Sequence, residues 1–87
     1  GAVGTGRDRA YLFRWEAQGA GEASYRFQLT QEDQEVPVID LPGLKTAELS
    51  LTGLNPGAYG WRVQSSRLVM GRRIETWSEI SPLRIGR

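Results

Sequence analysis

Tyr11, Phe13 and Trp15 alternate with Leu12 and Arg14, the period-2 pattern of a strand with one buried face. Tyr25, Phe27 and Leu29 repeat that logic against Arg26, Gln28 and Thr30, after a Gly-rich break at residues 18–22. Beyond a polar bend at residues 31–34, Val36-Pro37-Val38-Ile39 reads as an edge strand, because Pro37 lacks the backbone donor an interior strand needs. Leu41-Pro42-Gly43 follows and separates this strand from the next alternating run. Alternation returns at Ala47-Glu48-Leu49-Ser50-Leu51, and Thr52-Gly53-Leu54-Asn55-Pro56-Gly57 turns the chain. Tyr59, Trp61 and Val63 face one way; Gly60, Arg62 and Gln64 face the other. The pattern predicts a hairpin tip near Met70-Gly71, a return arm from Arg72 to Trp77, and a last strand carrying Leu83 and Ile85. No segment holds an apolar i, i+3, i+4 stripe, so helix is expected to be nearly absent.

Short alternating runs separated by turn signals, in a chain of 87 residues, predict one all-β domain, a sandwich or a small barrel. A domain of that size lies near the lower limit for burying a sufficient core. With no Cys to cross-link it, stability has to come from packing. The expected inward set is Tyr11, Phe13, Trp15, Tyr25, Phe27, Leu29, Leu49, Leu51, Leu54, Tyr59, Trp61, Val63, Leu83 and Ile85. Residues 1–9 are Gly-rich with little to bury and read as a tail or linker, leaving 10–87 as the folded domain.

Trp15, Tyr25, and Leu54-Asn55-Pro56-Gly57-Ala58-Tyr59 followed by Trp61-Arg62-Val63 resemble the fibronectin type III pattern of a Trp, a Tyr and a leucine-proline-tyrosine corner. The resemblance implies an immunoglobulin-like β-sandwich of two antiparallel sheets. It also implies that Tyr59 packs inward and hydrogen-bonds back across its loop. No Pro-rich first strand precedes Tyr11, so strand A of the family can be missing here, and Leu54 and Tyr59 are one residue closer than the family's usual spacing. The run from Leu54 to Val63 with a later Trp77-Ser78 is similar to the bacterial version of the domain. That version sits in cell-envelope proteins, sometimes beside LysM or iron-dicitrate-regulator-type segments, which implies a periplasmic or envelope location. Trp77-Ser78-Glu79-Ile80-Ser81 resembles a degenerate tryptophan-serine repeat of cytokine-receptor domains. Two readings of Trp77 stay open: a cation–π ladder with Arg62 and Arg67 or Arg73, or plain sheet packing.

Net charge is only +1, but its distribution is uneven: residues 1–15 sum to +2, residues 16–48 to −5, and residues 62–87 to +4. The small total gives no global pull toward nucleic acid, and none is expected as a partner. No apolar run approaches the ~20 residues of a membrane span, and no signal-peptide pattern opens the chain, so neither anchor nor membrane insertion is expected. Without His or Cys the commonest general base, the usual nucleophile dyads and the main zinc ligands are missing. The reading is therefore non-catalytic, with no cofactor and no metal. Glu32, Asp33, Glu35 and Asp40 lack the ligand spacing of a calcium loop and read as a solvated turn.

The candidate binding element is the hairpin at residues 67–74, where Arg67, Met70, Arg72 and Arg73, with Trp77 on the return arm, suit a partly acidic, partly apolar partner. The competing reading is that the Arg side chains are merely solvated while Leu68, Val69 and Ile74 pair across the hairpin. The expected function is a structural or protein-interaction module, its partner a neighbouring domain or envelope protein and the isolated domain a monomer. The alternative is a carbohydrate- or peptidoglycan-binding module using Trp77 and the Arg cluster.

Overall fold

A computed structural model describes residues 9–16 and 23–86, and these contain strands and turns without helix. The strands are β1 (Tyr11–Arg14), β2 (Ala23–Gln31), β3 (Ile39–Leu44), β4 (Glu48–Leu51), β5 (Gly57–Val69), β6 (Arg72–Trp77) and β7 (Ser81–Ile85). All pairings are antiparallel. One sheet is β1-β4; the other is β3-β2-β5, with β6 and β7 sharing the far edge of β5. The expected tail lies outside the described residues except for Arg9, which is exposed, and the break at 18–22 lies outside them altogether.

The two sheets meet across an aromatic core because their alternating residues face each other. Phe27, fully buried, has Phe13 of the opposite sheet edge-on at 4.9 Å, with Trp15 and Trp61 stacked at 6.2 and 5.8 Å. Each buried side chain of this size stabilises the fold by roughly 1.5–3 kcal/mol before entropy is subtracted. All fourteen residues expected to point inward lie in this core or pack against it, joined by Ala23, Ile39 and Leu44. Tyr59 is buried and its hydroxyl donates to the Asn55 carbonyl at 2.7 Å, tying the start of β5 to the turn that delivers it. The hairpin turns at Met70-Gly71 as the pattern predicts, with φ of 50° and 78°. Two consecutive positive φ values are the signature of a type I′ turn, whose twist matches that of the flanking strands.

The edge strand differs from its expected place. It runs over Ile39–Leu44, not over residues 36–39, and Val36 and Val38 are exposed. Leu41-Pro42-Gly43, expected to separate that strand from the next alternating run, lies within it. Tyr25 pairs with Leu44 and Phe27 with Leu41, so β3 carries one extra residue between these pairs. A bulge on an edge strand tolerates both a proline without a donor and a glycine at φ 75°, which is why the Pro-Gly pair bends β3 without ending it.

Candidate functional site

The β5–β6 hairpin pairs Gln64 through Val69 with Arg72 through Trp77 and turns at Met70-Gly71. Met70 at its tip is 98% exposed, Leu68 71%, and Val69 and Ile74 are also exposed. Arg67, Arg72 and Arg73 flank them, and among the described residues none of the three forms an ion pair. Arg67 pairs with Ile74, Leu68 with Arg73 and Val69 with Arg72, so each cation stands directly across from an apolar residue. Pairing across the hairpin and exposure coexist: the apolar residues line up without being covered. Lys45, which sequence reasoning did not single out, joins Arg67 and Arg73 around an open groove of about 550 Å³ with Ser24, Ser66 and Leu68. Its place follows from Leu44 pairing with Tyr25 and Tyr25 with Ser65, a register no local pattern reveals.

Trp77 is not part of this cluster. It pairs with Gln64, three rows from the Arg67–Ile74 pair, and the Arg62 guanidinium lies over its ring at 4.0 Å. The Arg62 half of the expected ladder therefore forms, worth about 0.5–1 kcal/mol at an exposed site. Arg67 and Arg73 belong to rows nearer the tip. Arg62 is itself held from the other side, donating through Nε to Gln28 Oε1 at 3.0 Å. Gln28 Nε2 donates to Asp40 Oδ2 at 3.3 Å, and Asp40 accepts two bonds from Arg26 at 2.8 and 2.7 Å. A polar chain thus crosses the outer face of the sheet from β3 to β6. The paired donation from Arg26, reinforced by Gln28, holds the Asp40 carboxyl below its ordinary range, while desolvation opposes the shift. The Arg26 guanidinium is held correspondingly above its own, chiefly by its hydrogen bond to Asp40.

Ser78 bridges the gap between β6 and β7. Its Oγ accepts from the Val63 N–H at 2.9 Å and donates to the Glu79 carbonyl at 3.0 Å, while its own N–H donates to the Val63 carbonyl at 2.8 Å. A side-chain oxygen so replaces the carbonyl that the interrupted strand does not offer β5. Two residues on, Ile80 folds over Gly60, where a Cβ would stand only 2.7 Å from Ile80 Cγ2. The missing side chain is what lets Ile80 lie against the sheet.

At the other end of the sheet, the 32–38 loop carries exposed Glu32, Asp33 and Glu35 together with Val36, 75% exposed, and Val38. Glu32 and Glu35 border a shallow groove of about 760 Å³ with Arg62, Arg84, Ile80 and Pro82. Among the described residues no three carboxylates gather closely enough to hold a metal ion. Asp40, adjacent in sequence to this acidic run, is engaged by Arg26 instead.

Comparison with family models, with curated proteins and with solved structures finds no match to this chain.

Proposed function

We propose that the chain is a non-catalytic interaction module of the fibronectin type III kind, serving in a larger, bacterial envelope protein and binding a protein partner through the 67–74 hairpin. The strand arrangement supports the family reading: among the described residues, β3-β2-β5-β6/β7 facing β1-β4 is the order expected of such a sandwich from its second strand onward. The Tyr59–Asn55 bond supplies the corner that the resemblance implies.

The observation that carries the binding role is Met70. A non-glycine residue at φ 50° is in the left-handed region, which Asn or Gly occupies at lower cost, and a side chain 98% exposed contributes nothing to the core. An apolar residue that neither eases the turn nor packs inside is suited to an external contact. Leu68, Val69 and Ile74 extend its apolar surface, and Arg67, Arg72 and Arg73, without an ion pair among the described residues, select for carboxylates beside it.

An amide-resolved NMR titration of the chain tests this, using a peptide that alternates Glu with Val and Leu, and separately soluble peptidoglycan fragments. Localised shifts at residues 67–74 with the peptide are the expected result. Shifts confined to Trp77 and its neighbours on adding the fragments, with the hairpin silent to the peptide, would replace this reading with the sugar-binding one.

A further inference from the structure

We propose that the partner of the hairpin is a second copy of this chain, the cationic-apolar hairpin of one molecule docking on the acidic-apolar 32–38 loop of the next. This rests on the reading of the hairpin as the binding element.

The charges are sorted by position along the sheet. Near its middle, Arg26 is paired with Asp40, and on the opposite sheet Arg14 is paired with Glu48. Among the described residues without an ion-pair partner, Arg62 lies mid-sheet over Trp77, while two groups of charges stand toward the two ends. Lys45, Arg67, Arg72 and Arg73 mark the hairpin end; among the described residues the acids on that half of the sheet are Glu75, across from Ser66, and Glu16, which lines a neighbouring groove with Ser65 and Thr76. Glu32, Asp33 and Glu35 mark the loop end, where Arg84, across from Ala58, and Arg62 border the same groove. Each end also presents apolar side chains to solvent: Leu68, Met70 and Ile74 at one, Val36 and Val38 at the other. The two surfaces therefore match in both sign and hydrophobic character, which is the pairing that steers association and fixes which patches meet.

They cannot meet within one molecule. The loop begins beside Ala58, to whose carbonyl the Glu32 N–H donates, and the hairpin turns after Val69. The eleven residues of extended β5 between those points span roughly 36 Å at ~3.3 Å per residue. Only a second molecule brings loop to hairpin. The contact joins two different patches and is small, so it is weak and salt-sensitive, and the chain is monomeric when dilute.

Sedimentation equilibrium at high protein concentration reads this directly, at about 20 mM and about 300 mM salt, where the Debye length is roughly 20 Å and 6 Å. At low salt the weight-average mass rises with concentration; at high salt it falls back to that of the monomer. Two charge-reversed variants at exposed positions, R72E/R73E and E32K/E35K, are each monomeric under both conditions, because each opposes like charges at the contact. Mixing them in equal amounts restores low-salt association, since every hairpin again finds a loop of opposite sign. Amide spectra of both variants confirm that they are folded. A wild-type chain that stays monomeric at high concentration and low salt, or a mixture that fails to associate, overturns the proposal. In that event hairpin shifts with the acidic-apolar peptide would leave the hairpin as a binding element for another protein, and their absence would remove both readings.

Discussion

Replacing Tyr59 by Phe isolates a single oxygen. The ring stays in the core, where Tyr59 is buried, and only the bond from its hydroxyl to the Asn55 carbonyl is lost. Asn55 is exposed, so its carbonyl can take a water in place of the phenol and escape the full penalty of a buried orphan. The expected cost is therefore that of one net hydrogen bond, about 1 kcal/mol. With about 2.1 cal/mol/K of unfolding entropy per residue, 87 residues give ~0.18 kcal/mol/K, so the midpoint of thermal unfolding should fall by about 5 °C. Scanning calorimetry reads the shift, and urea titration at fixed temperature should give the same free energy with an unchanged m-value. Tyr11→Phe is the control, because Tyr11 is half-buried and its hydroxyl makes no hydrogen bond among the described residues; it should cost under about 0.5 kcal/mol. If Y59F and Y11F prove equal within error, the corner bond contributes nothing net and Tyr59 matters only as a ring.

Met70→Asn should stabilise the chain by roughly 0.5–1 kcal/mol, seen as a higher urea midpoint, because Asn tolerates the positive φ of the turn; a lower midpoint would mean that the Met70 side chain packs after all. The Arg26–Asp40 pair makes a prediction in acid. Asp40's folded pKa lies below its unfolded value, so its stabilisation is fully present above the ordinary carboxylate range near 4 and is lost as pH falls through the folded value. The stability gap between wild type and D40N should accordingly be largest near neutral pH and close on acidification, and a gap that persists at the acid end of the titration would refute the assignment.

Sequence alone determined which face of β1, β2 and β5 is buried. Alternation at Tyr11-Phe13-Trp15, Tyr25-Phe27-Leu29 and Tyr59-Trp61-Val63 is a local property, and with the period fixed at two a residue's face follows from its neighbours. The hairpin tip was legible from local turn chemistry, a Gly at position 71 between two strand-like runs. The edge strand was not. Pro42-Gly43 carries the signature of a turn, and only the pairing of β3 with β2 turns it into a bulge and leaves Val36 and Val38 in solvent. Charge segregation was visible as a gradient along the chain, but its meaning was not. Which charges are neutralised is decided by strand register, which sets Asp40 beside Gln28 and Arg26 within reach while leaving Glu32, Asp33 and Glu35 at one end and Lys45 with the hairpin arginines at the other. Register between strands far apart in the chain arises from packing the whole core at once, and no local period encodes it. The tertiary structure therefore decided where the unpaired charges lie, and with them the surfaces left to meet a partner.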